Sequence, residues 1–372
     1  MSGAGVVVLA AGGTGGHMFP AEALAHALLT RGRRVTLMTD SRGAGFGERL
    51  PAVALQRISA GRIGGNIVRR LFGFAALAFG TIEAARKLRA LAPAAVVGFG
   101  GYASVPTMLA AGRQSLPTLI HEQNAILGRA NRMLAPRARR IATSFAAVGA
   151  MRPQDRERSV ETGNPVRPAI AALRDAPYRA PDAGGTFELL ILGGSQGARV
   201  LSAVVPAALS KLDPALRRRL RLSQQARAED VEAVRAAHAA SGVVAEVKPF
   251  FDDVPMRLAR AHLVLARSGA STVAELTVAG RPAILVPYRH AADDHQTANA
   301  RALEAAGAAW VMPESEFTAE ALAERLARLM EAPELLREAA RRAHALGRSD
   351  AAERLADLVL DVAGESRREC RP

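Results

Sequence analysis

Cysteine is almost missing from this 372-residue chain: the sole one, Cys370, lies in a polar tail with no partner for an intrachain disulfide. That usage fits a reducing compartment. Lysine is nearly missing too, with Lys87, Lys211 and Lys248 the only examples, so arginine carries the positive charge. Aromatic residues make up 4% of the chain, with one Trp and three Tyr. Arg69, Arg70, Arg137, Arg139 and Arg140 therefore lack the interleaved rings of a base-stacking surface, which argues against a nucleic-acid partner. No apolar run approaches the roughly 18 residues that a membrane-spanning helix needs. No basic segment precedes the first apolar run, so Val6 to Ala10 reads as a strand and not as a signal peptide. A G-x-x-x-x-G-K-[ST] phosphate loop is absent, as are a D-x-D pair and any metal-spaced His/Cys cluster. A bound diphosphate would then be neutralised by helix N-termini, hydroxyls and arginine in place of a divalent cation.

What is present describes a globular protein with room for two cores: 49% hydrophobic residues and 23% charged. The net charge of +14 is unevenly placed. Residues 1–170 carry 22 Lys and Arg against 8 Asp and Glu, whereas residues 171–372 carry 27 of each. The whole excess sits in the first half, which points to an anionic partner there.

A glycine-rich turn occurs once in each half. Val6 to Ala10 runs into Gly12-Gly13-Thr14-Gly15-Gly16-His17, and Leu189 to Leu192 into Gly193-Gly194-Ser195-Gln196-Gly197-Ala198. Strand, glycine turn and helix together form an anion-binding arrangement, because the helix start offers unpaired N–H groups and glycine lets a phosphate approach the backbone. Two copies about 180 residues apart suggest two nucleotide-fold domains with phosphate chemistry between them. Further strands are expected at Val35–Thr39, Ala95–Phe99, Thr118–His121, Arg140–Thr143 and Ser159–Thr162. In the second half they are expected at Phe187–Leu192, Leu220–Ser223, Val243–Val247, Leu263–Ala266, Ala283–Val286 and Ala309–Met312. Helical stretches separate them, including Pro20–Arg31, Ala103–Gly112, Ala198–Leu209, Ala228–Ala239, Ser271–Ala279 and His295–Ala306. The pattern predicts an α/β protein with parallel sheets covered on both faces. Residues 1–163 form one domain and 186–346 the other, joined by a Pro- and Gly-rich linker at 164–185 and followed by a terminal helix and polar tail at 347–372.

In such sheets ligands bind beyond the carboxyl ends of the strands. The loops there hold the chemistry-bearing residues. His17 closes the first glycine turn and is a candidate base for a bound hydroxyl, or else a capping histidine. His121-Glu122-Gln123-Asn124 follows an apolar strand and could equally be a polar helix start. Glu275, a few residues into a helix, can accept from both hydroxyls of a ribose. Asp293-Asp294-His295-Gln296 opens another helix. Asp40, at the end of the second strand, would suit a ribose in a dehydrogenase, but G-x-G-x-x-G fails because Met18 stands where the third glycine belongs. Ile67 to Lys87 sets Leu71, Phe72, Phe74, Leu77 and Phe79 between arginine pairs. That segment is either an interfacial helix on an anionic membrane or a buried core helix.

Taken in order, these loops resemble the MurG family of glycosyltransferases over nearly the whole chain. The resemblance rests on Gly12–His17, Gly100-Gly101-Tyr102, His121–Asn124, Gly163-Asn164-Pro165-Val166-Arg167, Gly193–Ala198, Arg267-Ser268-Gly269-Ala270 and Asp294-His295-Gln296 through Asn299. It implies the GT-B fold, two Rossmann-like domains whose parallel sheets face across a cleft. It also implies inverting, metal-independent transfer of GlcNAc from UDP-GlcNAc to undecaprenyl-pyrophosphoryl-MurNAc-pentapeptide, with no cofactor. In that reading Ser195, Gln196 and Gly197 hold the donor diphosphate with Arg167. Glu275 holds the ribose, the backbone near Phe251 the uracil, and His295 and Gln296 the sugar. Gly13, Thr14, Gly15 and Gly16, with Gly100, Gly101 and Tyr102, meet the acceptor pyrophosphate. Thr14, Gly15, Gly16 and Asn124 also touch the donor. His17 is the base, and Glu122 and Asn124 orient the acceptor or His17. Arg69, Arg70, Leu71, Phe72 and Phe74 form a patch that docks on an anionic membrane, placing the protein peripherally on the cytoplasmic face of the bacterial inner membrane, alongside cell-wall synthesis proteins. Ser223 to Arg227 departs from the family's pattern and receives no donor role. Another GT-B sugar-nucleotide enzyme, either a lipid glycosyltransferase or a UDP-GlcNAc 2-epimerase, is the alternative.

Overall fold

The computed structural model describes residues 5–12, 15–40, 51–61, 67–194 and 197–364, with the backbone alone for residues 67–72 and 74. Cys370 lies outside the described residues. The chain divides into two units, one formed by residues 1–167 with 350–372 and the other by 168–349.

The first unit holds a seven-stranded parallel sheet: β1 (Val6–Ala10), β2 (Arg34–Thr39), β3 (Ala54–Arg57), β4 (Ala95–Gly98), β5 (Thr118–Glu122), β6 (Arg140–Thr143) and β7 (Ser159–Glu161). Their order across the sheet is β3-β2-β1-β4-β5-β6-β7. The second unit holds six: β8 (Phe187–Leu192), β9 (Leu220–Gln225), β10 (Val244–Lys248), β11 (Leu263–Ala266), β12 (Ala283–Leu285) and β13 (Ala309–Val311), in the order β10-β9-β8-β11-β12-β13. Both orders run outward from the first strand of the unit, then jump to its other side. Each unit is therefore Rossmann-like, with its switch point between β1 and β4 or between β8 and β11.

Burial on both faces explains the continuous apolar runs. Val7 and Leu9 of β1 join a core with the helix Gly15–Thr30, while Val6 and Val8 join another with the helices Ile67–Leu91 and Gly101–Arg113. In the second unit Phe187, Leu189 and Ile191 pack with Leu201, Val205 and Leu326 from the helices Arg199–Lys211 and Ala319–Glu331.

Three features differ from the sequence reading. The strand β3 is an edge strand, paired only to β2 and partly exposed, so no apolar run marks it. The first helix begins at Gly15, and Pro20 sits inside it. Proline lacks the N–H that would bond back to Gly16, so the helix carries this gap within its second turn. The terminal helix Ala351–Val362 is not a separate appendage. Leu355, Ala356, Val359 and Val362 are buried in the first unit's core, and Arg31 and Asp357 pair at 3.0 Å.

Candidate active site

At the first unit's switch point the turns after β1 and β4 converge. His17 is the third residue of its helix. Opposite it, Gly100 and Gly101 both have positive φ, at 80° and 68°. A Cβ on Gly101 would lie 3.2 Å from His17 Cδ2 and 3.3 Å from Nε2, so only glycine fits both this conformation and this approach. Gly15 and Gly16 open the helix that carries His17, and the half-buried Tyr102 is the second residue of the helix Gly101–Arg113. Gly13 and Thr14 lie outside the described residues.

The loop after β5 sorts its four polar residues by alternation, since successive side chains leave a strand on opposite sides. His121 and Gln123 turn one way. Gln123 Oε1 is 3.2 Å from His17 Nδ1, and its Nε2 reaches the carbonyls of Phe99 and His121 at 3.1 Å each and His121 Nδ1 at 3.0 Å. His121 Nε2 lies 3.0 Å from the Gly163 carbonyl oxygen. Burial pushes His121 down to about 4, the Gly163 carbonyl opposes the shift, and protonation of His17 would add to it. Glu122 turns the other way and organises the loop. Its Oε1 accepts from the backbone N–H of Asn124 at 3.0 Å and from Asn124 Nδ2 at 3.1 Å. Its Oε2 accepts from Gly128 N and Asn131 Nδ2, both at 2.8 Å. Gln123 thus touches His17, while Glu122 and Asn124, expected to orient the acceptor or His17, hydrogen-bond to each other. Arg167 ends this unit with its guanidinium 5.6 Å above the Phe19 ring, two residues beyond His17.

In the second unit the glycine turn after β8 has positive φ at Gly194 and Gly197, and Gly197 N–H donates to Gly194 O at 3.1 Å. Ser195 and Gln196 lie outside the described residues. The stretch that sequence left without a role braces this turn. Gln225 Oε1 accepts from Gly193 N–H at 3.2 Å, and Arg227 Cγ would stand 2.6 Å from a Cβ on Gly197. Phe251 is buried, with the Arg257 guanidinium 4.0 Å from its ring centre. Arg257 also donates to Asp253 and to Ser223 and pairs with Glu246. Its hydrogen bonds hold both carboxyl groups below their usual range.

Glu275 is the sixth residue of the half-buried helix Ala270–Val278. The loop before His295 is tightly held. Asp293 and Asp294 both have positive φ, His295 Nδ1 donates to the Ala292 carbonyl at 2.7 Å, and Gln296 Oε1 accepts from Tyr288 N–H at 3.0 Å. Ser268 Oγ donates to Gln296 O, and Asn299 Nδ2 donates to Ser268 O. Arg267 locks the adjoining strand end through Glu314 at 2.6 Å and the carbonyls of Val286 and Pro287.

Arg69, Arg70, Leu71, Phe72 and Phe74 belong to the helix Ile67–Leu91, but their side chains lie outside the described residues. Further along, Ala84 and Leu88 are buried while Phe79 and Ile82 are 63% and 54% exposed, ahead of exposed Arg86 and Arg89. One helix therefore has both a core face and an exposed apolar face. No described helix is long and apolar enough to cross a membrane.

Comparison with known proteins gives this architecture a class. The glycosyltransferase family 28 N-terminal domain matches residues 7–143 and the family 28 C-terminal domain matches residues 188–355. The fold and both matched domains define a two-domain glycosyltransferase. A Rhodospirillum centenum protein, named UDP-N-acetylglucosamine--N-acetylmuramyl-(pentapeptide) pyrophosphoryl-undecaprenol N-acetylglucosamine transferase, is 59% identical over 96% of this chain and 94% of its own length. A Paramagnetospirillum magneticum protein of the same name is 58% identical over 96% of each. The crystal structure of Acinetobacter baumannii MurG superposes with a TM-score of 0.79 at 32% identity, covering 96% of this chain and 99% of that one. The chain belongs to the MurG family.

Proposed function

We propose that this enzyme transfers GlcNAc from UDP-GlcNAc to the MurNAc 4-hydroxyl of undecaprenyl-pyrophosphoryl-MurNAc-pentapeptide, with inversion and without a metal. The observation that carries the reading is the setting of His17. An imidazole stands in a glycine turn at a sheet switch point, within the unit that holds most of the excess positive charge. The acceptor's 4-hydroxyl attacks the anomeric carbon from the face opposite UDP. The bond between that carbon and the phosphate oxygen breaks, UDP leaves with the electron pair, and the hydroxyl proton passes to His17. A single displacement of this kind inverts the anomeric centre. The turn Gly193–Ala198 and Arg167 stabilise the departing diphosphate, and Glu275 and Gln296 hold the ribose and sugar.

The membrane reading rests on Phe79 and Ile82, which continue the apolar stripe toward Arg86 and Arg89. We assign this face to an anionic bilayer on the cytoplasmic side. Replacing Phe79 and Ile82 together by serine should lower co-sedimentation with phosphatidylglycerol vesicles by about tenfold, following the transfer cost of the lost apolar area. Unchanged binding would remove these side chains from the docking face.

UDP release from UDP-GlcNAc, measured with EDTA and with or without a short-chain lipid I analogue, tests the activity. Release that needs the analogue and survives chelation supports the transferase. Release without acceptor would replace it with an epimerase or hydrolase, and release abolished by EDTA would end the metal-independent reading.

A further inference from the structure

We infer that Gln123, backed by His121, is a positioning residue that fixes the proton of His17 on Nδ1 and so makes Nε2 the ring's basic nitrogen. The inference rests on the proposal that His17 is the base. It follows from donors and acceptors alone.

The amide nitrogen of Gln123 faces two carbonyl oxygens, those of Phe99 and His121, at 3.1 Å each. Carbonyls only accept, so that end of the side chain is the NH2 and the other end is the oxygen. Gln123 Oε1, 3.2 Å from His17 Nδ1, is then an acceptor, and His17 Nδ1 must carry the hydrogen between them. A neutral imidazole holds one N–H, so Nε2 is left with the lone pair.

The second histidine closes the assignment. His121 Nε2 lies 3.0 Å from the Gly163 carbonyl, which only accepts, so the His121 proton sits on Nε2. That leaves Nδ1 as an acceptor 3.0 Å from Gln123 Nε2, which shares its two hydrogens between this nitrogen and the carbonyls. Were His121 flipped to its other tautomer, Nδ1–H would meet N–H, and the Gly163 carbonyl would lose its donor. The Gln123 amide is therefore held from three sides, and the tautomer of His17 is set from a fully buried layer behind it. Glu122, four times hydrogen-bonded elsewhere, takes no part.

The test reads the tautomer directly. Long-range 1H–15N correlation spectra of the histidine-labelled enzyme at pH 8, assigned with His17→Gln, should show His17 protonated on Nδ1. Gln123→Leu should shift His17 mainly to the Nε2–H form and lower kcat by about 30-fold, with KM for UDP-GlcNAc within about twofold, because only the base is misaligned. Gln123→Asn, which retains an amide, should recover part of kcat. A wild-type His17 with its proton on Nε2 overturns the inference even if no variant folds. So does Gln123→Leu with the Nδ1–H tautomer lost and turnover intact. If His17→Ala itself keeps full turnover, the base proposal fails instead, and the spectra still decide whether Gln123 sets the tautomer.

Discussion

The two units share a strand order, a glycine turn after the first strand and a helix beyond it, yet they use that turn differently. By composition the first carries 26 Lys and Arg against 14 Asp and Glu, and the second 23 against 21. Behind the first turn lies a buried chain of neutral hydrogen bonds, His17 to Gln123 to His121 to Gly163, that controls one proton. Around the second lie charged clamps, Arg257 on Asp253 and Glu246 and Arg267 on Glu314, that control backbone shape. One Rossmann-like frame can hold a chemical group in one copy and a recognition surface in the other. The fold does not decide which; the residues at its strand ends do.

The largest expected effect breaks the symmetry of the two units kinetically. His17→Ala should lower kcat by about 100-fold or more with KM for UDP-GlcNAc near wild type. Glu275→Ala should instead raise KM for UDP-GlcNAc by roughly 10-fold or more, the worth of a charged hydrogen bond, with a smaller change in kcat. Steady-state kinetics with saturating acceptor separates the two. Equal losses in kcat from both variants would mean that the division between chemistry and recognition is wrong.

Acid should strike both units alike, which sharpens the comparison from the other side. His121 in the first unit and His238 in the second are both buried and held neutral down to about 4 by desolvation. The unfolded chain protonates each near 6.5. Below that value the unfolded state binds protons that the fold refuses, so stability is lost as pH falls from 6.5 toward 4. At pH 5 the loss is about 2 kcal/mol for each histidine. His238→Gln keeps a donor facing Gln224 Oε1, 2.7 Å from His238 Nε2 in the wild type. It should remove its share of the stability difference between pH 7.5 and pH 5 in urea unfolding. A variant with the full wild-type difference would show that His238 is not the group refusing protons.

Most of the scaffold was legible because fully buried parallel strands announce themselves as short apolar runs. The runs at Val6–Ala10, Arg140–Thr143, Phe187–Leu192 and Leu263–Ala266 match their strands end to end. The strand Ala54–Arg57 was not legible, since an edge strand needs only one partner and tolerates exposed polar residues. The terminal helix could be read, but not its docking on the first unit, because local periodicity carries no address. At the site, the glycine turns and His17 stood out by type and place. The part played by Gln123 did not, although strand alternation already set it on one side with His121 and away from Glu122. Nor did Arg281, the largest fully buried side chain among the described residues, whose charge is met by the carbonyls of Leu258 and Ala259 in the helix Val254–Arg260 and of Ala279 just after the helix Ala270–Val278.

The smallest effect compares the glycine turns themselves. Gly101 and Gly194 have positive φ, at 68° and 78°, so alanine at either costs about 1–2 kcal/mol of stability from backbone conformation alone. Around Gly194 a Cβ would meet nothing within 4 Å, so the loss stops there. At Gly101 the same Cβ presses on the His17 ring, which must move by a few tenths of an ångström and lose its alignment with Gln123. Gly101→Ala should therefore lower kcat by roughly fivefold, about 1 kcal/mol, beyond its effect on stability. Gly194→Ala should show its kinetic effect in KM for UDP-GlcNAc. Thermal unfolding alongside kinetics at a temperature where both variants are folded checks this. If the two variants lose stability equally and neither changes kcat, then the close approach of Gly101 to His17 has no bearing on turnover, and the first turn serves only to bind.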